Sequence, residues 1–394
     1  MKLAVFHHLP SGGALWALAQ KLRIFIESGH TVKIYTVDSA DHDFLRSIFP
    51  GVEQKIYRPA RRRSLGAYVD LSREIAQEIN RSGCDLVYVD KCRLMGSPPL
   101  LCFLVRPSLY YMHEPLGVAE YESRAPRDPS AADPSEERYG RLGWRQKLSK
   151  LIGLPRRLRI KRWDRRAVLA ASRILTCSKF SAEWIFRVYG RHAEVFYQGV
   201  DEAFLRAPAG AGPRERALCV GRLENRKRQD FVIEALSRCE KRFSLDVLYD
   251  DEEKGYRAEI ERKAREKAIE VRFFHRLSRK EIERYYRESV VVLCASRHEP
   301  FGFVPLEAMA CGTPVIAVDE GGYRETVLHG QTGYLLPRDP RVWAETIDHL
   351  AQEPVLGRKL GEAGRRHVQK SWTWAGFSDR FKEIAGEVRM SRQE

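Results

Sequence analysis

Short apolar runs alternate with helix-period segments through the first half of the chain. "KLAVFHH" is followed by "ALWALAQKLRIFIESGH", where Gly29 ends the helical pattern, and then by "TVKIYTVD", "DLVYVD" and "SLYYMHE". Strand-length runs separated by amphipathic helices predict a parallel sheet covered on both faces, an open α/β domain. The rhythm restarts at residue 217 with "ALCVGRL", a helix through "QDFVIEALSRC", the strand "SLDVLYD", and a charged helix over 254–268. It continues with "IEVRFFHRL", a helix from "SRKEIERYYRES", and the strands "VVVLCAS" and "TPVIAVD". A second sheet of the same class is expected. The stretch "APAGAGPRER" at 207–216, rich in Gly, Pro and Ala, reads as the linker, so the domains are expected at 1–205 and 206–371. The last stretch, "SWTWAGFSDRFKEIAGEV", reads as an amphipathic helix carrying Trp372, Trp374 and Phe377.

Composition agrees with two folded domains: the chain has 394 residues, 43% apolar and 31% charged. No apolar run approaches the roughly 20 residues of a membrane-spanning helix. The N-terminal apolar stretch is too short, and broken by His7 and His8, for a secretory signal, so a cytoplasmic protein is expected. Eight cysteines without a C-x-x-C pair read as buried, reduced thiols rather than a zinc site.

Charge changes the picture more. The net charge is +15, and residues 1–200 hold 33 Lys+Arg against 20 Asp+Glu, leaving 35 against 33 for the remainder. Within that half, residues 138–166 carry twelve basic side chains and only Asp164 against them. Such a block suits an anionic membrane surface, each cation near it being worth about 1 kcal/mol, or a solvated face with no partner. Nucleic acid is not expected, because only Tyr139, Trp144 and Trp163 interleave with the cations as a stacking platform requires.

The chemistry concentrates in "SRHEPFGFVPLEAMACGTPVIA", residues 296–317. "VVVLCAS" is a buried strand, "RHEPFG" a loop leaving its C-terminal end, and "VPLEAMA" a short helix with Pro305 in its first turn and Gly312 past its end. Glu299 then sits in the loop and Glu307 on the helix. The backbone N–H groups of Phe301, Gly302, Phe303 and Val304 open at a helix start, where an anion is favoured. In an open α/β sheet that turn faces the ligand crevice. Glu299 can accept from sugar hydroxyls, Glu307 from a ribose diol, and the amides between them can hold phosphate. By spacing alone, the acids could equally be capping or surface groups.

"EPFGFVPLEAMACGTPVIAVDEGGYRETV" closely resembles the E-x7-E signature of retaining glycosyltransferases of the GT-B fold, in glycosyltransferase family four. The resemblance runs over most of the chain, thinly between 40 and 105 and over the basic block. It implies an α/β, GT-B architecture of two Rossmann-like domains facing across a cleft. The second would bind the nucleotide sugar, the first the acceptor, and the last helix, 372–394, would pack back on the first. "VGRLENRKRQD" places Arg222 and Lys227 where relatives carry a cation pair that clamps a diphosphate without a metal; Arg228 stands where many relatives have glycine. Gly12 and Gly13 in "HHLPSGGALWAL" are similar to the family's glycine pair beside donor or acceptor. His113, in "LYYMHEP", is similar to the histidine beside the reacting sugar. Arg276 and Leu277, in "FFHRLS", take positions that cradle the base. The glycine-rich "GDGP" turn common in relatives is replaced by "YDDEE", and Gln198 stands where asparagine is common.

The resemblance implies sugar transfer from a UDP- or GDP-linked donor to a hydroxyl of a glycan or lipid-linked acceptor, with retention, by front-side attack in which the leaving phosphate takes the acceptor's proton. Glu299 would orient the sugar, Arg222 and Lys227 would stabilise the diphosphate, Glu307 would hold the ribose and His113 would shape the sugar site. No cofactor or metal is expected, and "DHD" at 41–43 is set aside as a chance metal-motif match. The basic half suggests envelope polysaccharide or glycolipid synthesis, peripheral on the inner face of the cytoplasmic membrane. The rival readings are a sugar-nucleotide epimerase or phosphorylase of the same fold, and a nucleic-acid-binding protein.

Overall fold

The computed structural model describes residues 1–60, 64–116, 154–206 and 216–390. All of the expected 207–216 linker but Arg216, which opens a strand, and the first part of the basic block (138–153) lie outside the described residues. The chain forms two compact units. One contains Met1–Cys177, Ser181–Phe196 and the chain from Gly376; the other contains Ser178–Phe180 and Tyr197–Ala375. The first unit thus ends at Phe196, ahead of the expected 205, because Tyr197 stacks edge-on against Trp372 and Val200 N–H donates to the Trp372 carbonyl.

Among the described residues, seven strands make the first sheet: β1 (Lys2–His8), β2 (Thr31–Val37), β3 (Gln54–Tyr57), β4 (Leu86–Cys92), β5 (Ser108–Tyr111), β6 (Arg173–Thr176) and β7 (Glu194–Val195), in the order β3-β2-β1-β4-β5-β6-β7. Six make the second: β8 (Arg216–Val220), β9 (Ser244–Tyr249), β10 (Val271–His275), β11 (Ser289–Cys294), β12 (Val315–Val318) and β13 (Tyr334–Leu336), in the order β10-β9-β8-β11-β12-β13. Every pairing is parallel. Parallel strands need covering on both faces, which is why β11 reads as a nearly continuous apolar run and both β4 and β11 are almost wholly buried, β4 being apolar up to Asp90. In both sheets the order reverses beside the first strand, between β1 and β4 and between β8 and β11. Ligand crevices of open α/β sheets form outside the carboxyl ends of the strands at such points.

Helix Gly13–Glu27 buries Leu15, Leu18, Leu22 and Phe25 at helical spacing. The final helix runs Phe377–Met390, so Trp372 and Trp374 precede it rather than ride on it. Within the first unit its Phe381 ring sits 4.2 Å from Phe25, and Phe377 sits 4.5 Å from Phe196. In the second unit helix Pro354–Ser371 lies tightly on helix Phe303–Ala310. A Cβ at Gly361 would stand 2.1 Å from the Gly312 carbonyl oxygen, so only glycine permits the approach.

Candidate functional site

Strand β8 ends at Val220, and Gly221 (φ 137°) turns the chain through Arg222 into a short 3-10 turn, Asn225–Lys227. Arg228 takes the left-handed conformation (φ 55°) and caps helix Gln229–Leu236. Its guanidinium folds back on Asp230 at 3.0 Å and is 4% exposed, which commits it to the helix start. Lys227 instead reaches the loop after β11, where Nζ donates to Glu299 Oε2 at 2.8 Å; both side chains are mostly buried. Arg222, half exposed, pairs with Glu224 at 3.2 Å and with Asp251 at 2.9 Å.

The acidic "DDEE" turn that replaces the glycine-rich one packs along this segment. Leu223 N–H donates to the Asp251 carbonyl, and Glu253 N–H donates back to Leu223. Gly255 (φ 85°) then starts helix Tyr256–Glu266, so the loop reaches its glycine late but uses it at the helix cap.

Beyond β11 the chain runs through Glu299 to Phe301, which is buried, and Gly302 (φ 99°) caps helix Phe303–Ala310. Glycine supplies no side-chain acceptor, so no cap hydrogen bond is made to the first-turn amides of this helix. Phe303 and Val304 are half-buried beside it. The loop is held from below by the "EGG" turn. Gly322 N–H donates to the Glu299 carbonyl at 2.8 Å, and a Cβ on Gly322 would come within 2.6 Å of the Phe301 backbone. Glu307, one helical turn inside, is buried with both oxygens engaged: Arg279 donates to Oε1 at 2.9 Å and Tyr286 to Oε2 at 2.8 Å. Burial, then the adjacent Glu307 carboxylate, pushes the Tyr286 hydroxyl well up, so it stays a donor. Arg276 (φ 52°) is exposed after β10 with its N–H on the Tyr249 carbonyl, and Leu277 beside it is half-buried.

In the first unit, Gly12 (φ 131°) caps helix Gly13–Glu27 without a side-chain bond. His113 follows β5; its Nε2 donates to Asp90 Oδ1 at 3.0 Å, and its ring meets Tyr111 edge-on at 5.0 Å. Asp41 of the "DHD" tripeptide caps helix His42–Ile48, accepting from Phe44 N–H. No group of three His, Cys, Asp or Glu side chains suited to a metal ion occurs among the described residues.

Two family models match, one after the other: "Glycosyltransferase Family 4" over residues 11–204 and "Glycosyl transferases group 1" over residues 201–367. Together the two models cover residues 11–367, and the chain belongs to the glycosyltransferases they describe. An α-1,3/1,6-mannosyltransferase, ALG2, of Rhizomucor pusillus is 40% identical over 104 residues, 26% of this chain and 23% of that protein. A D-inositol 3-phosphate glycosyltransferase of Streptomyces bingchenggensis is 30% identical over 233 residues, 52% of this chain and 51% of its own. The chain thus spans about half or less of these curated relatives. Among solved structures, Anabaena HepE in complex with UDP and glucose superposes with a TM-score of 0.74 at 18% identity, covering 98% of this chain and 100% of that one. At that identity the likeness speaks for the GT-B fold.

The fold brings Arg222, Lys227, Glu299, Phe301 to Val304 and Glu307 to one end of the second sheet, around the β8–β11 reversal. Arg276 and Leu277 follow β10, at the far edge of the same sheet, while Gly12, Gly13 and His113 belong to the first unit. Sequence reasoning missed the partners: Arg279 and Tyr286 on Glu307, Asp251 on Arg222, and Asp90 on His113. A signal existed for Asp90, an acid closing the apolar strand "LVYVD". Lys21, buried on helix Gly13–Glu27, was missed as well, and its signal was a lysine on the apolar face between Leu18, Leu22 and Phe25.

Proposed function

We propose that this protein is a retaining hexosyltransferase that moves a sugar from a UDP- or GDP-linked donor to a hydroxyl of a glycan or lipid-linked acceptor in envelope polysaccharide or glycolipid synthesis. The observation that carries the reading is the Lys227–Glu299 pair at the β8–β11 reversal, with Arg222 on one side and the uncapped helix start at Phe303 on the other. A cation already seated on the acid that would orient the sugar can turn to a leaving diphosphate without moving through the core. Arg222 adds a second charge, and the amides of Phe303 and Val304 add dipoles where negative charge grows. Glu307 holds its carboxylate with one bond per oxygen, and each oxygen keeps a lone pair for a ribose hydroxyl. Arg276 and Leu277 would flank the base, and Gly12, Gly13 and His113 would supply the first unit's share of sugar and acceptor binding. The Anabaena neighbour's complex with UDP and glucose supports a uridine donor.

In this reading the acceptor oxygen bonds to the anomeric carbon on the face from which the diphosphate leaves, and the departing phosphate oxygen takes the acceptor's proton. The test is a panel of UDP- and GDP-sugars with purified protein, read by thermal stabilisation and nucleoside diphosphate release, followed by proton NMR of the product. A product of inverted anomeric configuration sinks retention; no response to any donor sinks the transferase reading.

The acceptor side of the proposal includes an anionic membrane. Helix Leu154–Ala170, the described end of the basic block, exposes Arg156, Arg157, Arg159, Lys161 and Arg162 with Leu158 between them. No described helix is long and apolar enough to cross a membrane, and a basic face with an exposed leucine can bind an anionic surface. Co-sedimentation with phosphatidylglycerol vesicles, lost in neutral vesicles and at high salt, is expected. No sedimentation at low salt refutes it.

A further inference from the structure

Asp90, near the end of β4, is completely buried. Its Oδ1 accepts from His113 Nε2 at 3.0 Å and from its neighbour Lys91's N–H at 2.7 Å, while buried Oδ2 has no hydrogen-bond partner. Lys21, also completely buried, approaches from helix Gly13–Glu27. Its ammonium donates to the Tyr88 hydroxyl at 3.0 Å and lies 3.2 Å from the centre of the Tyr111 ring, the ring that also packs edge-on against His113. His7, on β1, is buried too and feels the charge of Asp90. Around His113 the backbone is pinned as well, its carbonyl accepting from Ser181 at 2.8 Å and from the Cys177 thiol.

A lysine and an aspartate buried this way are expensive to desolvate, and apolar side chains would fill the same volume at less expense. Their charges balance: burial raises the Asp90 carboxyl, but the charge and hydrogen bond of His113 and the charge of Lys21 bring it below its ordinary value. Burial lowers Lys21 to about 8, against the opposing pull of Asp90, so it remains largely charged at neutral pH. An ionised carboxylate only accepts, so the proton between Asp90 and His113 belongs to Nε2. With that proton on Nε2, Nδ1 is the ring nitrogen left to meet a ligand, on a side chain that retains 13% exposure.

We propose that Asp90 is a positioning residue: its carboxylate, balanced by Lys21, holds His113 in the Nε2–H form and presents Nδ1 to a hydroxyl of the reacting sugar. This rests on the transferase reading for the sugar, and on the 3.0 Å contact with the ionised Asp90 carboxylate for the tautomer. The experiment uses the full chain with 15N-labelled histidine. Because removing one charge of a buried pair strands the other, Asp90→Leu is made together with Lys21→Met as the double variant, and Asp90→Asn is made in the same Lys21→Met background for comparison. In the wild type the His113 nitrogens should report a proton on Nε2. In the double variant that signature should give way to mixed tautomers, and kcat should fall by at least about tenfold while donor KM changes less than about threefold. Asp90→Asn keeps an acceptor oxygen and should recover part of kcat. A His113 that keeps its Nε2 proton in the double variant overturns the proposal, as does a changed tautomer with undiminished kcat. Should the wild-type chain transfer no sugar, the transferase reading fails by itself, and the imidazole spectrum still decides whether Asp90 sets the tautomer.

Discussion

Replacing Lys227 by methionine isolates the cation. The stem keeps its packing, since Cε lies about 3.4 Å from where a Gly221 Cβ would be, while the ammonium that donates to Glu299 at 2.8 Å is lost. Both side chains are largely withdrawn from water, at 17% and 16% exposure, so solvent screens the pair less than a surface bridge. A hydrogen bond to a charged group is worth about 1.5–3 kcal/mol, which corresponds to a roughly ten- to 150-fold fall in kcat/KM if the cation meets the diphosphate in the transition state. The assay is steady-state release of nucleoside diphosphate with the donor found by screening, alongside urea unfolding to separate lost folding from lost catalysis. Glu299→Gln and the double variant complete a cycle, and coupled residues should give losses that fall short of their sum. A folded Lys227→Met protein with kcat/KM within about twofold of wild type would refute the reasoning.

The other predictions concern neighbours of that pair and the first unit. Gly322→Ala forces a methyl to within 2.6 Å of the Phe301 backbone; it should lower stability by about 1–3 kcal/mol and transfer by about tenfold or more, read as urea midpoint and kcat/KM. Arg228→Ala should act oppositely to Lys227→Met, lowering the urea midpoint while sparing donor KM, because its guanidinium is buried on Asp230. Acid should unfold the first unit early. Burial lowers His7 to about 3 and His8 to about 4, so between pH 6.5 and those values the unfolded chain binds protons the folded one does not. Stability is therefore full above about pH 6.5 and falls below it, by about 3 kcal/mol per histidine at pH 4, and urea titrations in which His7→Phe flattens this dependence would check it.

The sequence by itself determined the two α/β sheets, the loop that carries Glu299 and the helix that carries Glu307. Each depends on local causes: apolar periodicity, a glycine that admits positive φ at Gly302, and a proline tolerated in the first turn. It could not say which acid answers which base. Lys227 meets Glu299 across 72 positions only because β8 and β11 are neighbours, and Glu307 meets Arg279 across 28 because helix Arg279–Glu288 returns beside helix Phe303–Ala310. Tertiary structure alone kept Trp372 with Tyr197 in the second unit. It alone buried Lys21 under a tyrosine ring. Local periodicity decides which way a side chain faces. Its partner is decided by strand order, which brings distant parts of the chain into contact and sets how much water remains between their charges.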